Sequence, residues 1–339
     1  MNRIAQMSES GRAEVFGETA DRKDLPDAVV EKDFWVCWVL KQLFSIDAFE
    51  GRLLFKGGTS LSKIFNAIYR FSEDIDLAVD YAALGFTGKK DPRLDGISKT
   101  KQGQILAEMM AACQRYIAGE FIQELRIRFE AVLGKSGGWS LEVSQQDANI
   151  VRFIYPSGAS KTAHYVSPQV ILEMGTHAEF VPRDRFMVRS FIAEEFPHFV
   201  EDLEIPVVAL LAKRTFWEKA TILHAEYHRP NDKALPGRYS RHYYDVAMLA
   251  LGPIRAEALA DLELLAQVVT HKKAFYAAAW ARYDIAKPGS LRFLPMPERI
   301  PALRHDYREM AVMIFGDPPK FNLILDTLSA LEREVNATS

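Results

Sequence analysis

Residues 52–80 read RLLFKGGTSLSKIFNAIYRFSEDIDLAVD, and the fold prediction starts from this stretch. The apolar residues 53–55 predict a short strand, which the pair Gly57 and Gly58 ends. A short helix and a loop follow the glycines. Residues 74–79 then alternate in polarity, and this period of two predicts a second strand. The stretch therefore predicts a strand, a glycine turn, a helix, a loop and a strand, in that order.

The second strand carries a pair of acids on one face. Asp74 and Asp76 point to one side, while Ile75, Leu77 and Val79 point to the other. Like charges at neighbouring same-face positions repel each other unless a cation lies between them. Mg²⁺ prefers such carboxylates together with substrate phosphates, so the pair predicts a divalent metal site. The solvent-facing side of an antiparallel sheet gives the same pattern, and the pair alone does not separate the two readings.

The glycine turn is suited to a phosphate group. Gly57 and Gly58 have no Cβ atoms, so their backbone can approach an anion closely. Thr59 and Ser60 are residue types that cap helices, and the helix start presents free N–H groups. Lys56 adds a positive charge beside the turn. A phosphate cradle next to a metal-binding acid pair is what transfer chemistry on a nucleoside triphosphate requires.

The segments KGGTSL and RFSEDIDLAV resemble the nucleotidyltransferase toxin family named after the abortive-infection proteins AbiEii and AbiGii. That family belongs to the polymerase-beta-like superfamily, whose signature is a glycine with a small residue, a spacer and D-x-D. Fourteen residues separate Thr59 from Asp74, slightly more than the usual superfamily spacer. The resemblance implies that Arg70 and Ser72, inside the matching segment, contact the nucleotide or order the loop.

The resemblance also implies an activity. It implies a toxin of a toxin–antitoxin or abortive-infection system that uses Mg²⁺, with Mn²⁺ as the other candidate ion. The implied reaction is transfer of a nucleoside monophosphate from an NTP to an acceptor, and the implied candidate acceptor is the 3′ end of tRNA. A cognate antitoxin is the implied partner.

A third carboxylate is implied on a neighbouring strand. Residues 169–174 alternate in polarity and predict a strand that carries Glu173 just before Gly175. Superfamily enzymes commonly complete the metal site with an acid from such a strand. Glu142, on another predicted strand, competes for the same role. The sequence leaves the choice between the two open.

A second matching region lies in the C-terminal half. Residues 217–219 and 241–245 resemble the family's helix lysine followed by an R-D-x-Y-D segment. The resemblance implies that Lys219 binds triphosphate oxygens and that Asp245 positions this lysine or another polar group. The sequence departs from this pattern at His242, which stands where the family has its first acid. A lysine on an amphipathic helix otherwise faces solvent.

The length favours two domains. At 339 residues the chain exceeds one typical core. We predict an α/β nucleotidyltransferase domain at 1–200, built on a mixed sheet with helices, and a mostly helical domain at 201–339. Within the second domain, the run IPVVALLAKRTFWEKATILHAEYH predicts a helix that starts at Pro206. Within the first, WSLEVSQQDANIVRFIYP predicts a β-hairpin.

Composition limits the class of protein. With 48% hydrophobic and 26% charged residues, the chain is typical of soluble globular proteins. A net charge of −3 gives no overall attraction to nucleic acid, so an RNA substrate needs a local basic surface. Cys37 and Cys113 have no metal-ligand spacing and suit a reducing cytoplasm. No apolar run is long enough to span a membrane.

We interpret two charged segments as a flexible loop and as the start of a helix. Residues 85–104 contain four glycines, a proline and five basic side chains, which predicts a flexible loop. That loop either follows a phosphate backbone or is solvated with no partner.

Earlier in the chain, Pro26 begins a helix that is apolar on most of its circumference and so predicted to be buried. Its acidic and basic residues 31–33 are expected to form a solvated helix start.

Other site types are disfavoured. His224 and His228 have a spacing that can hold zinc, but the residues between them do not follow the H-E-x-x-H pattern. The chain has no P-loop motif, G-x-G-x-x-G or G-x-S-x-G. Two functions remain beside the toxin: a nucleotidyltransferase acting on a small molecule or a protein, and an inactive nucleotide-binding module.

Overall fold

The structure is a computed structural model that describes residues 1–72, 74–94, 96–157 and 167–338. The chain divides into two compact units. The first unit consists of Met1–Ile64, Ser72–Asp91 and Lys99–Ala209, and the second of Phe65–Phe71, Pro92–Ser98 and Leu210–Ser339. Two short segments of the N-terminal part of the chain therefore belong to the second unit.

The first unit combines helices with the strands of one sheet. Its helices are α1 (Asn2–Ala5), α2 (Glu9–Lys23), α3 (Asp27–Leu43), α4 (Gly57–Lys63), α5 (Lys99–Tyr116), α6 (Ile122–Leu133) and α7 (Phe191–Glu195). Its strands are β1 (Leu53–Lys56), β2 (Asp74–Val79), β3 (Ser140–Val143), β4 (Ile150–Ile154), β5 (Gln169–Gly175), β6 (Arg183–Val188) and β7 (Ile205–Leu210). The order β1–α4–β2 predicted from the glycine turn and the alternating strand is confirmed.

The described residues form a mixed seven-stranded sheet in the order β3-β4-β5-β2-β1-β7-β6. Strand β2 lies between β1, to which it is antiparallel, and β5, to which it is parallel. Strands β3, β4 and β5 are antiparallel neighbours, which confirms the predicted hairpin. Strand β1 is parallel to β7. The α/β class is thus confirmed, and the strand with the acid pair is internal to the sheet.

The helix predicted to start at Pro206 is wrong in its first part. Residues 205–210 form strand β7, and the helix starts only at Ala212. The sequence IPVVAL is a short apolar run, which periodicity cannot assign to either a strand or a helix. Beside β1, the face with Ile205, Val207 and Ala209 is buried, while Pro206 is exposed and Val208 is half-buried. Because all of these residues are apolar, the alternation in burial leaves no alternation in polarity.

Helix α3 forms the centre of the core. All of its residues except Asp27 and Lys41 are buried. Trp35 stacks on Tyr155 with ring centroids 5.4 Å apart, and Trp38 contacts Phe129 at 4.7 Å. Aromatic pairs of this kind contribute about 0.5–1.5 kcal/mol each beyond the area they bury. The prediction of a buried helix is confirmed.

The charged residues of α3 are not solvated, so that expectation is wrong. Glu31, Lys32 and Asp33 are 2%, 0% and 5% exposed. Ser157 donates a hydrogen bond to Glu31, and Lys63 forms an ion pair with Asp33 at 2.5 Å. Because a buried charge is tolerated only when it has partners, these residues act as internal polar contacts of the first unit.

The basic loop is shorter than predicted. Helix α5 starts at Lys99, so residues 99–104 are helical rather than part of a flexible loop. A short 3₁₀ turn, Gly88–Lys90, interrupts the remainder. Asp95 in this stretch, like Glu73 in the quoted motif, lies outside the described residues.

The second unit is mostly helical, as predicted. It contains α8 (Ala212–Tyr227), α9 (Ser240–Leu251), α10 (Ile254–Leu259), α11 (Leu262–Phe275), α12 (Ile300–Met310) and α13 (Phe321–Ala337). Helix α9 packs against α8, α12 and α13. The segment Phe65–Phe71 joins this unit through a short antiparallel pairing, in which Arg70 lies opposite Ile314. Throughout the described ranges, every helix is too short or too polar to cross a bilayer.

Candidate active site

The acid pair lies in the middle of the sheet. Asp76 is in register with Lys56 on β1 and with Glu173 on β5. Residues in register on neighbouring strands point to the same face, so these three side chains form a row across the sheet. Asp74 lies on the same face, two residues along β2. Both aspartates are partly exposed, as a site for a soluble ligand requires.

The glycine turn abuts the acid pair. Gly57 has φ +78°, in the left-handed region that favours glycine. A Cβ atom at Gly57 would lie 1.9 Å from Oδ2 of Asp76, far closer than any real contact. The absence of a side chain at residue 57 is therefore what allows the Asp76 carboxylate to lie against the backbone of the turn.

Thr59 and Ser60 brace the turn from inside. They lie within α4, which starts at Gly57, so the expectation that they cap the helix is wrong. Ser60 donates its hydroxyl hydrogen bond to the carbonyl of Gly57 at 2.9 Å. Thr59 donates to the carbonyl of Asp74, and both hydroxyl-bearing residues are buried. The Thr59 bond ties the first turn of α4 to the start of β2, and the Ser60 bond closes that turn on itself.

Helix α4 is also anchored at its other end, by residues that sequence reasoning missed. Lys63 pairs with the buried Asp33 and lies 4.2 Å from the ring centroid of Phe191. The second oxygen of Asp33 accepts a hydrogen bond from the Phe191 N–H at 2.7 Å. Burial raises the pKa of Asp33, against the opposing effect of Lys63. The acidic residue at position 33 could have indicated an ion pair, but its partner, Lys63, lies 30 positions later in the chain, so local spacing does not identify the pair.

The donor set fits a metal ion that the substrate helps to hold. Within residues 1–72, 74–94, 96–157 and 167–338, no three His, Cys, Asp or Glu side chains form a cluster able to hold a metal ion. The two carboxylates at 74 and 76 are nevertheless what Mg²⁺ uses, because it keeps several waters and binds one or two carboxylates with substrate phosphates. A closed zinc or calcium site would need more protein ligands.

The fold separates the two candidates for a third carboxylate. Glu173 is the neighbour of Asp76 in the adjacent strand. Glu142 lies on β3, which is separated from β2 by β4 and β5, or roughly 14 Å at the usual strand spacing. Of the two, only Glu173 is next to the acid pair.

The residues predicted in the C-terminal half form a cluster within the second unit. Arg70 donates two hydrogen bonds to the carboxylate of Asp245, from Nε at 2.7 Å and from Nη2 at 2.9 Å. Lys219 forms an ion pair with the same carboxylate at 2.8 Å. Asp245 is fully buried. Burial alone would raise the pKa of Asp245, but Arg70 and Lys219 outweigh it and hold this pKa well below its usual value.

His242 lies one helical turn before Asp245 on α9. Its Nδ1 atom is buried and, among the described residues, has no hydrogen-bond partner. Burial, with help from the charges of Lys219 and Arg241, holds the pKa of His242 well below its usual value. The imidazole is therefore neutral at pH 7. With a neutral group at 242, the cluster contains two cations and one carboxylate and keeps a net positive charge.

The remaining predicted residues are placed as follows. Ser72 is partly buried and belongs to the first unit, two positions before Asp74. Arg70, two positions earlier still, belongs to the second unit. The chain that joins the glycine turn to the acid pair thus passes through the second unit.

The histidine pair at the end of α8 does not form a zinc site. Nε2 of His224 donates to the carbonyl of Arg282 at 3.1 Å, and Nδ1 accepts from the N–H of Arg292 at 3.2 Å. Both ring nitrogens are occupied, so neither can ligate a metal. Burial lowers the pKa of His224 to about 4, and the ring is neutral.

Comparison with known proteins gives a family. The family model described as nucleotidyl transferase AbiEii toxin, type IV toxin–antitoxin system, matches residues 38–330. Among solved structures, the chain is similar to MenT4, a nucleotidyltransferase toxin from Mycobacterium tuberculosis H37Rv. The two share 17% sequence identity and a TM-score of 0.42, over 96% of this chain and 97% of that one. The curated proteins give no match. On the family match, this chain belongs to the AbiEii family of nucleotidyltransferase toxins of type IV toxin–antitoxin systems.

Proposed function

We propose that this toxin transfers a nucleoside monophosphate from an NTP to the 3′ end of an RNA, with tRNA as the candidate acceptor. The observation that carries the proposal is the contact between Asp76 and the glycine turn. A carboxylate pair on one face of β2 lies against a backbone that only glycine at position 57 permits. A metal-bridged triphosphate needs both features side by side.

In this proposal Asp74 and Asp76 hold Mg²⁺, with Glu173 beside them. When bound, the ion neutralises charge on the phosphates and favours ionisation of the attacking hydroxyl. The acceptor hydroxyl oxygen attacks the α-phosphorus. The bond from that phosphorus to the bridging oxygen breaks, pyrophosphate leaves with the electron pair, and the hydroxyl proton passes to solvent.

The chain's own residues position the triphosphate. The backbone at Gly57 and Gly58 approaches the phosphates, and Thr59 and Ser60 keep the turn in shape through their bonds to the backbone. Lys56, in register with Asp76, offsets negative charge. These roles rest on oriented dipoles and fixed charges, which need no rearrangement during the reaction.

The Arg70–Asp245–Lys219 cluster lies within the second unit, and we carry over as part of the proposal the role that the family resemblance implies for it. Its net positive charge supports the role that the resemblance implies for Lys219, which is binding triphosphate oxygens. Asp245 is a positioning residue, since its oxygens are occupied by the two cations. Arg70 then orders the segment that precedes the acid pair.

Labelling with radioactive nucleotides tests the proposal. The protein is incubated with each α-³²P-labelled NTP, Mg²⁺ or Mn²⁺, and total RNA or cell lysate. We expect label in RNA, loss of labelling with EDTA, and loss in an Asp76→Asn variant. Label in a protein or a small molecule would instead support the second candidate acceptor class. No transfer with any of the NTPs would leave an inactive nucleotide-binding module.

The proposal extends to the biological setting. We place the toxin in the cytoplasm, where the two cysteines remain as free thiols. A cognate antitoxin is the expected partner, and co-expression with it should restore growth to cells in which the toxin arrests growth.

A further inference from the structure

The charges of the chain are unevenly divided between the two units. The second unit contains 20 of the 42 basic residues and 16 of the 45 acidic residues, a net charge of +4. The first unit has the remaining 22 basic and 29 acidic residues, a net charge of −7. The net charge of −3 for the whole chain is therefore the sum of a positive unit and a negative unit, and a polyanion is attracted to the positive one.

Part of this positive charge is gathered around one aromatic side chain. The guanidinium of Arg229 lies over the ring of Trp280 at 4.6 Å, and the ammonium of Lys233 lies at 5.8 Å from the same ring. Nearby, Arg292 lies over Tyr227 at 5.5 Å. We call Arg229, Lys233, Trp280, Arg282 and Arg292 the Trp280 surface.

A buried histidine fixes two members of this surface. His224 is fully buried, and its two ring nitrogens bond to the carbonyl of Arg282 and to the N–H of Arg292. These bonds hold the backbone at both arginines against the last turns of α8. A buried polar side chain with both of its nitrogens committed in this way is costly to move. The positions of the two arginines are therefore set by the core.

A buried arginine fixes the other side of the surface. Arg299 donates to the carbonyls of Arg229, Pro230 and Lys233 at 3.4, 2.8 and 3.1 Å. Asp306 accepts hydrogen bonds from two backbone N–H groups near the far end of the same loop. The loop that carries Arg229 and Lys233 is thus held from within at both ends.

Lys233, Arg282 and Arg292 keep donors available to a ligand, whereas Arg229 pairs with the buried Glu226 and is mostly buried itself. Arg282 pairs with Asp284 and Arg292 with Glu332, yet their side chains are still 48% and 50% exposed. A guanidinium has five N–H donors, and a carboxylate occupies at most two of them. Lys233 is exposed, and the part of the chain that the structure describes places no carboxylate in an ion pair with it. The surface therefore offers oriented donors beside a partly exposed indole.

We propose that the Trp280 surface binds a single-stranded segment of the acceptor RNA, with its cations on phosphates and a base stacked against Trp280. Proteins bind single strands by combining basic grooves with aromatic rings, because every base has a face that can stack. An acidic protein would use the charges but would not need the indole between them. This inference rests on the proposed function for the identity of the acceptor as RNA.

The test measures binding separately from catalysis. Binding of a fluorescein-labelled single-stranded RNA of about 12 nucleotides is followed by anisotropy, in the Asp76→Asn protein so that no transfer occurs. A triple variant, Lys233→Gln/Arg282→Gln/Arg292→Gln, should reduce the slope of log K against log salt by about 2, since each phosphate contact contributes about 0.7. At about 0.1 M salt this is a loss of roughly 100-fold in affinity.

Matched variants separate the surface from general charge. Arg308→Gln removes an exposed cation of the same unit outside the surface, and it should leave affinity and slope almost unchanged. Trp280→Leu should weaken binding about tenfold, and Trp280→Phe should restore most of the loss. Thermal unfolding of each variant checks that the fold is retained.

The outcomes are decisive in both directions. Loss of slope in the triple variant, with rescue by phenylalanine at position 280, supports the surface even if labelled NTP is never transferred. The inference is overturned if the Asp76→Asn protein with an intact surface does not bind the RNA, if the triple variant and Trp280→Leu bind it as tightly as that protein, or if Arg308→Gln lowers log K by a third or more of the loss in the triple variant.

Discussion

Replacing Gly57 by alanine tests the contact on which the active-site proposal depends. The new Cβ atom would lie 1.9 Å from Oδ2 of Asp76, whereas real Cβ contacts are almost never shorter than 3.0 Å. The turn or the carboxylate must therefore move by about 1 Å. Position 57 also has a positive φ, which alanine adopts only with strain.

Two effects of different size follow. The left-handed backbone costs about 1–2 kcal/mol of stability with any Cβ. A displacement of about 1 Å at reacting groups can cost roughly 100-fold in rate. We therefore expect Gly57→Ala to lower the thermal midpoint by a few degrees and nucleotide transfer by at least about 100-fold.

Gly51→Ala is the matched control. Gly51 has φ +71° in the same unit, and a Cβ there would meet nothing within 4 Å. Both variants therefore have the backbone strain, but only Gly57→Ala displaces Asp76. Transfer of labelled nucleotide and thermal unfolding are measured for the two variants and wild type side by side. If Gly57→Ala transfers nucleotide within about threefold of Gly51→Ala, the contact with Asp76 does not matter for catalysis, and the reasoning fails.

Three further predictions concern charge. Asp245→Asn leaves two cations without their shared carboxylate and should cost about 3–5 kcal/mol in urea unfolding at pH 7. Because folding lowers the pKa of Asp245, the difference in unfolding free energy between wild type and variant should have its full size above the ordinary pKa of 3.8 and should shrink as the pH falls below that value. The same difference at pH 2.5 as at pH 7 would contradict the assignment. For His224 the folded pKa of about 4 lies below the ordinary 6.5, so wild type should lose about 3 kcal/mol as pH falls from 7 to 4. His224→Gln keeps a donor and an acceptor but should flatten that pH dependence, and an equally steep profile would count against the bonding seen here. Lys63→Met strands a buried carboxylate and should cost about 3–5 kcal/mol, most of it recovered by adding Asp33→Asn; no recovery would mean that the pair is not the cause.

Local patterns in the sequence predict the centre of the first unit well. The glycine break and the alternating strand give β1, α4 and β2, because each signal depends on neighbouring residues only. The face shared by Asp74 and Asp76 follows from the period of a strand. The clash at Gly57 does not, since it depends on the register of β1 against β2.

Where the sequence misleads, tertiary burial decides. The run at 205–210 has too few polar residues to show a period, so only its place beside β1 makes it a strand. Similarly, charges at 31–33 suggest exposure, yet α3 is covered on nearly every side. The partners of those charges lie on elements far along the chain, so no local sequence pattern predicts them.

Long-range charge pairs are the least predictable part of the site. Arg70 and Asp245 are 175 positions apart, and a bidentate pair at that separation has no sequence signal beyond the family resemblance. The Trp280 surface is similar. Its cations come from a loop after α8 and from two later segments, and buried His224 and Arg299 bring them into place.

The route of the chain between the glycine turn and the acid pair has a consequence for truncated versions of the toxin. Residues 65–71 fold with the second unit, although 1–64 and 72–91 fold with the first. A fragment that stops at residue 209 would keep the turn and both aspartates but would strand the Arg70 guanidinium without Asp245. A fragment that contains only the N-terminal half therefore lacks the part of the structure that orders residues 65–71. In a toxin split into two pieces, we expect this segment to become ordered only when both pieces are supplied together.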